Sequence, residues 1–196
     1  MEVERAYREW EVALEWAPFF LDPSIPPEGR IRTPTTTAET PPSAMELRAE
    51  TLGIKFTRGR TFQPHTHRAL EAGEWVSEHG DAEQVLEYHR RLFRAHFTDH
   101  ENLMDLDVLA REATAAGLDG AALRAALESG ALVEAVDGGI AQANAIGVTA
   151  IPTFIFDGKY AVVGAHEYPT FERVLEQLGA RRRETPLPQP PEPPRA

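Results

Sequence analysis

The stretch GVTAIPTFIFDGKYAVVG, from Gly147 to Gly164, limits most strongly the folds that are open to this chain. Two apolar runs that favour strands flank an Asp-Gly pair, which is a common signal for a type I′ hairpin turn. Pro152 has no N–H to donate to a sheet ladder, so it should stand at the entry of the first strand. The sequence therefore predicts a β-hairpin that a proline introduces after a helix stopped by Gly147.

Two backbone geometries could place Pro152 at that entry. A trans peptide bond would simply start the strand, and only about 5–6% of X-Pro bonds in folded proteins are cis. A cis bond between Ile151 and Pro152 would make a sharp turn and leave the backbone of Ala150 and Ile151 unpaired and facing outward. Such an edge can bind an extended peptide by β-addition. Local physics leaves both geometries open and favours the trans form.

The rest of the chain is predicted to contain one more strand, a long loop and a block of helices. Val12–Phe20 has β-branched and aromatic residues and is predicted as a strand, limited to an edge or a late bend by Pro18. Residues 21–43 contain six prolines and are predicted as a loop. Caps and apolar periodicity predict helices at 43–53, 66–80, 81–97, 105–117, 119–130, 131–147 and 169–179. Inside one of these helices, Gly138 and Gly139 suggest a bend or a close packing contact.

Composition excludes several classes of function. The net charge of −11 repels nucleic acid and anionic membranes, so we expect neither as a partner. No run of about 18 apolar residues suggests a membrane span. The charged N-terminus does not resemble a signal peptide, and we therefore predict a cytoplasmic protein. The sequence contains no cysteine, so it offers no disulfide, no thiolate metal site and no cysteine nucleophile.

Histidines are the remaining candidates for chemistry. His96 and His100 are four residues apart and could hold a metal if one helix continued through both. Asp99 and Asn102 suggest that the helix ends there, and His89 shares an apolar stripe with His96. We therefore predict packing roles for these histidines, with no metal site, no cofactor and no catalytic residue.

Three segments resemble one family. GVTAIPTFIFDGKYAVVGAHEYPTFERVLEQL resembles the closing half of a thioredoxin fold, in which a cis-proline loop precedes a hairpin and a final helix. EWAPFFLDPSIPPEG resembles the second strand and the following loop of the DsbA-like family, in its cytosolic FrnE-like branch. Residues 61–119 resemble the helical domain that this branch inserts. The resemblance covers about residues 3–179.

The resemblance implies an α/β protein with a thioredoxin-like fold that lacks its first strand and carries an inserted all-helical domain. The thioredoxin-like domain would comprise residues 1–42 and 147–180, and the helical domain with its return helix residues 43–146. The remaining residues, 181–196, include six prolines and are predicted to be disordered or to form polyproline II.

The resemblance also implies thiol-disulfide oxidoreduction. Family members carry a Cys-x-x-Cys motif at the start of their first helix, where the helix dipole stabilises a thiolate. Ala150, Ile151 and Pro152 would hold an extended segment of a protein or peptide substrate opposite that motif. This sequence begins within or after that helix and has no counterpart of the first strand or of the motif.

Two explanations of this departure stay open. Either Met1 is not the true start and an N-terminal segment carrying the dithiol has been lost, or the chain is a redox-inactive relative. In the second case it would be a non-catalytic peptide-binding or scaffold protein. A relative of glutathione-dependent isomerases is a further alternative. The sequence does not determine whether the chain is an enzyme or which oligomeric state it adopts.

Overall fold

The computed structural model describes residues 2–37, 39–51 and 54–189. The predicted helix stop at Gly53 and the end of the proline-rich tail, residues 190–196, lie outside the described residues. In chain order the elements are α1 (Glu2–Glu9), β1 (Arg30–Ile31), α2 (Ala44–Thr51), β2 (Phe62–Gln63), α3 (His67–His79), α4 (Ala82–Phe97), α5 (Leu106–Ala115), α6 (Gly120–Ser129), α7 (Val133–Ala145), β3 (Thr153–Phe156), β4 (Tyr160–Val163) and α8 (Tyr168–Gln177). None of the helices described is both long and apolar enough to cross a membrane.

The chain divides into two compact units. The hairpin unit comprises Met1–Glu15 and Val148–Ala196, and the helical unit comprises Trp16–Gly147. We predicted the first boundary between residues 42 and 43, whereas it lies between residues 15 and 16. The reason is that the chain already contacts the helices soon after residue 15: Trp16 stacks on His89 with ring centroids 4.0 Å apart, and Phe20 packs edge-on against His65 at 4.7 Å.

The hairpin unit is built on the predicted β3–β4 hairpin. The antiparallel register pairs Thr153 with Val163 and Phe156 with Tyr160. Asp157 and Gly158 both have positive φ, of 51° and 63°, and the Lys159 N–H donates to the Phe156 carbonyl at 2.9 Å, as a type I′ turn requires. Helices α1 and α8 pack together, and their core with the hairpin comprises Ala6, Trp10, Tyr168, Phe171 and Leu175, with Phe154 and Phe156 against it.

The helical unit has its own core between α3, α4, α5 and α6. Its buried members include Ala72, Trp75, Val76, Tyr88, Leu92, Leu109, Ala113, Leu123 and Leu127. Two of the helices that the sequence predicts begin at capping aspartates. Asp81 forms a capping box with Gln84 at the start of α4, and the Asp119 carboxylate accepts two backbone N–H groups at the start of α6.

The strand predicted over Val12–Phe20 is not formed. This segment has no hydrogen-bonded ladder, and no strand in the described part of the chain pairs with it. High β-propensity means that the side chains suit a pleated surface. A ladder also needs a neighbouring strand, and the composition of one segment does not indicate whether such a strand is present. A short antiparallel ribbon occurs instead inside and after the predicted loop, where Arg30–Ile31 pairs with Phe62–Gln63.

The C-terminal segment also differs from its prediction. Residues 181–189 do not extend away from the fold as a disordered tail but follow the end of α1. The Glu11 N–H donates to the Arg181 carbonyl and the Arg183 N–H to the Glu9 carbonyl, both at 2.8 Å. The composition of this segment concealed these contacts, because they depend on residues about 170 positions earlier in the chain.

Substitution of the adjacent glycines of α7 is expected to have opposite effects. A Cβ on Gly139 would lie 2.5 Å from Cγ of Pro18, whereas a Cβ on Gly138 would meet no atom within 4 Å. Gly139→Ala should therefore lower the free energy of unfolding by up to about 2 kcal/mol, since overpacking costs about 1–3 kcal/mol against a helical gain of about 1 kcal/mol. Gly138→Ala, the matched control, should raise it by about 1 kcal/mol. Urea unfolding measures both, and equal effects would contradict the close contact.

Candidate peptide-binding site

The loop before β3 brings together Ala150, Ile151 and Pro152, the three residues that the sequence suggested for substrate binding. The peptide bond between Ile151 and Pro152 is cis. The Gly164 N–H donates to the Pro152 carbonyl at 2.8 Å, which ties the loop to the end of β4. The Ile151 side chain is 50% exposed. The loop therefore presents an apolar side chain from an anchored backbone.

One detail of the predicted loop is different. We expected the backbone of Ala150 to be unpaired, but its carbonyl accepts a hydrogen bond of 2.7 Å from the hydroxyl of Thr153. This is a short-range contact of the kind by which Thr side chains stabilise turns. This hydrogen bond stabilises the conformation of the loop, and it occupies the Ala150 carbonyl, which is then less available to a ligand.

The backbone groups of β3 itself supply an open edge. The bond from Gly164 to Pro152 sets the alternation of the ladder, so Phe154 and Phe156 are the residues of β3 that exchange hydrogen bonds with β4. The N–H and C=O groups of Thr153 and Ile155 then point to the opposite side. No strand of the described residues pairs with that side. β3 therefore offers two donors and two acceptors to a further strand.

The open edge continues into an apolar sheet face. Side chains alternate across the hairpin, so Phe154 and Phe156 face α8 while Ile155 and Val163 project from the other face. Ile155 is 49% exposed, and Val163 and Ala161 are exposed beside it. The signal for this face was in the sequence, since TFIF and YAVV are apolar at consecutive positions, as in strands buried on both faces.

Charge is absent from the loop and from β3. No residue between Val148 and Phe156 is charged, and the first ionic pair lies at the hairpin tip. There the Lys159 ammonium contacts the Asp157 carboxylate at 2.6 Å, and this hydrogen bond raises the pKa of Lys159. An uncharged edge lacks the charged side chains with which natural proteins protect exposed strands. The arrangement suits an extended, uncharged polypeptide segment.

The histidine candidates do not form a site. α4 ends at Phe97, and His100 has a φ of 57° and contacts the carbonyl of Thr57 through Nε2 at 2.7 Å. His96 instead contacts the Arg60 guanidinium through Nε2. Within the residues that the structure describes, no group of three or more His, Cys, Asp or Glu side chains could hold a metal ion.

Known proteins resemble this chain in sequence and fold. The family model for the DSBA-like thioredoxin domain matches residues 1–176. The Bacillus subtilis (strain 168) protein YwbO is 30% identical over 175 residues, which are 88% of this chain and 85% of YwbO. The chain therefore belongs to the DsbA-like thioredoxin-domain family, and the predicted family is confirmed.

Solved structures agree with this assignment. A probable DsbA oxidoreductase from Streptomyces coelicolor is 26% identical and has a TM-score of 0.61 over 76% of this chain, which spans only 62% of that protein. A putative protein disulfide isomerase from Nitrosomonas europaea has a TM-score of 0.53 over 71% of this chain and 76% of its own. At 14% identity, the second match shows a shared fold alone. The predicted α/β thioredoxin-like fold with a helical insertion is thus confirmed.

Proposed function

We propose that this chain is the substrate-binding part of a DsbA-like thiol-disulfide oxidoreductase of the cytosolic FrnE-like branch. Ala150, Ile151 and Pro152 hold an extended segment of a protein or peptide substrate, and the segment continues along the open edge of β3. The observation that carries this proposal is the position of that edge: the free N–H and C=O groups of Thr153 and Ile155 follow directly on the loop. Main-chain pairing of this kind gives affinity without requiring one particular sequence.

The chain as sequenced binds the segment without reacting with it. Thiol-disulfide exchange begins with a thiolate that attacks a sulfur, and none of the 196 residues is a cysteine. This polypeptide is therefore redox-inactive by itself. The same observation favours a second candidate function, in which the chain is a non-catalytic peptide-binding or scaffold protein that uses the same loop and edge.

Ile151→Asp is expected to weaken peptide binding at least tenfold. The exposed isoleucine lies beside the uncharged edge, and a carboxylate there would lose apolar contact and would have to be desolvated by the bound segment. The measurement is fluorescence anisotropy with labelled, S-carbamidomethylated insulin B chain, an extended probe whose cysteines are blocked by an uncharged group.

The matched control is Ile31→Asp, which changes an exposed isoleucine of the helical unit and should leave binding unchanged. Equal loss in both variants, or no loss at Ile151, would remove the loop from the site. Because the probe has no reactive sulfur, the result does not depend on redox activity.

A further inference from the structure

Helix α1 buries two opposite faces. On one face Ala6 belongs to the core of the hairpin unit, together with Trp10 just after the helix. At about 100° per residue, Glu4 and Arg8 lie roughly 160–200° away from Ala6 around the helix. Yet Glu4 is only 7% exposed and Arg8 only 2%. The face of a surface helix opposite the core is normally solvated, so this pair of charges is covered by another part of the chain.

The C-terminal segment contacts this second face. The Leu187 N–H donates to the Arg8 carbonyl at 3.0 Å, and the Arg8 guanidinium donates to the Pro188 carbonyl. The Glu4 carboxylate lies 3.8 Å from the Arg8 guanidinium and supports its position. Leu187 is itself half-buried. Arg8 thus contacts two consecutive residues of an extended, proline-flanked segment.

These contacts match the hydrogen-bonding pattern of such a segment. In Pro186-Leu187-Pro188 only Leu187 carries an N–H, and its partner is a carbonyl at the end of α1, where the last four carbonyls lack helical donors. Polyproline II leaves its backbone carbonyls without internal partners, and the guanidinium supplies a donor to one of them. The helix end and Arg8 therefore recognise the backbone of a Pro-x-Pro segment through one acceptor and one donor.

We propose that the Glu4–Arg8 face of α1 is a binding site for an extended Pro-x-Pro segment. Residues 186–188 of the same chain occupy it in cis, and the same segment of a second copy occupies it when the cis contact is broken. A short tether gives the cis segment an effective concentration in the range of about 1 mM, so the cis contact prevails at ordinary protein concentrations.

The test uses the full chain and a variant that weakens only the cis contact. Leu187→Pro removes the N–H that bonds to the Arg8 carbonyl and changes no residue of α1. The probe is a fluorescently labelled peptide with the natural sequence of residues 184–196, followed by anisotropy. It should bind the Leu187→Pro chain at least tenfold more tightly than the natural chain, whose site is already occupied.

Two further variants decide whether Arg8 is the recognition group. In the Leu187→Pro chain, Arg8→Gln should abolish peptide binding. In the same chain, Arg173→Gln, which removes an exposed arginine of α8, should leave peptide binding unchanged. In the otherwise natural chain, Arg8→Gln should speed hydrogen exchange of the Leu187 amide at least tenfold. Equal peptide binding by the natural and Leu187→Pro chains, or binding that survives Arg8→Gln, would overturn the proposal.

Discussion

Acidification from pH 7 to pH 4 is expected to remove about 3 kcal/mol from the unfolding free energy of the helical unit through His89 alone. Burial lowers the pKa of His89 from 6.5 to about 4. Below pH 6.5 the imidazole of His89 is protonated in the unfolded chain but stays neutral in the folded chain. The contribution of His89 to the free energy of unfolding is therefore complete above pH 6.5 and is lost as the pH falls towards 4. The pKa of His96 is also lowered to about 4, mainly by burial and then by the charges of Arg60 and His100. Protonation of His96 therefore adds to the loss of stability.

Variants of His89 separate this effect from the general acid sensitivity of the chain. The imidazole stacks on Trp16, and its Nε2 is buried without a hydrogen-bond partner among the described residues. His89→Phe keeps a ring in this place without a proton site, so it should reduce the loss between pH 6.5 and pH 4 by about 3 kcal/mol. Stability at pH 7 should be unchanged or higher, because an unpaired buried polar atom is replaced by an apolar one.

His89→Gln provides the matched comparison, since it also lacks the titrating group but gives up the stacked ring. It should show the same reduced pH dependence with lower stability at pH 7. Urea unfolding at several pH values, followed by helical circular dichroism, measures both variants. An unchanged loss of stability between pH 6.5 and pH 4 in both would contradict the lowered pKa, because His89 would then titrate alike in the folded and unfolded chain.

Phe171→Ala is expected to lower the free energy of unfolding of the hairpin unit by about 3–5 kcal/mol. Phe171 is 1% exposed, and its ring meets those of Phe154 and Phe156 edge-on, with centroids 4.9 and 6.0 Å away. These contacts hold β3 against α8. Loss of the ring should therefore also weaken peptide binding at the neighbouring loop.

The control is Phe93→Ala in α4, which removes a phenylalanine that is 44% exposed. It should cost less than about 1 kcal/mol, since substitutions away from the core have small effects. Urea unfolding compares the two variants. A similar cost for both would contradict the assignment of Phe171 to the core that supports the hairpin.

Local signals in the sequence were sufficient for some elements. The Asp-Gly turn and the capping aspartates act over two to four residues, so their patterns predicted the hairpin and several helix starts. Pairing over long distances gave no such signal. The ribbon between Arg30–Ile31 and Phe62–Gln63 joins segments about 30 residues apart, and the Val12–Phe20 segment has strand composition without a ladder.

At the candidate site, too, local sequence signals predicted some features, while features that depend on strand pairing were not predicted. The location of Ala150–Pro152 followed from a proline placed before an apolar run. The groups that make the edge useful, at Thr153 and Ile155, depend on which residues exchange hydrogen bonds with β4, and composition does not specify that alternation. The contact between Arg8 and the segment of Leu187 was hidden for a different reason, because a proline-rich composition gives no indication of a folded partner far along the chain.

Amide hydrogen exchange at β3, followed by NMR with and without S-carbamidomethylated insulin B chain, tests peptide addition most directly. The free chain should exchange the amides of Thr153 and Ile155 rapidly and those of Phe154 and Phe156 slowly. Bound peptide should slow Thr153 and Ile155 at least tenfold and leave the other two amides as they are. If the peptide binds while Thr153 and Ile155 keep their rapid exchange, no strand is added at this edge.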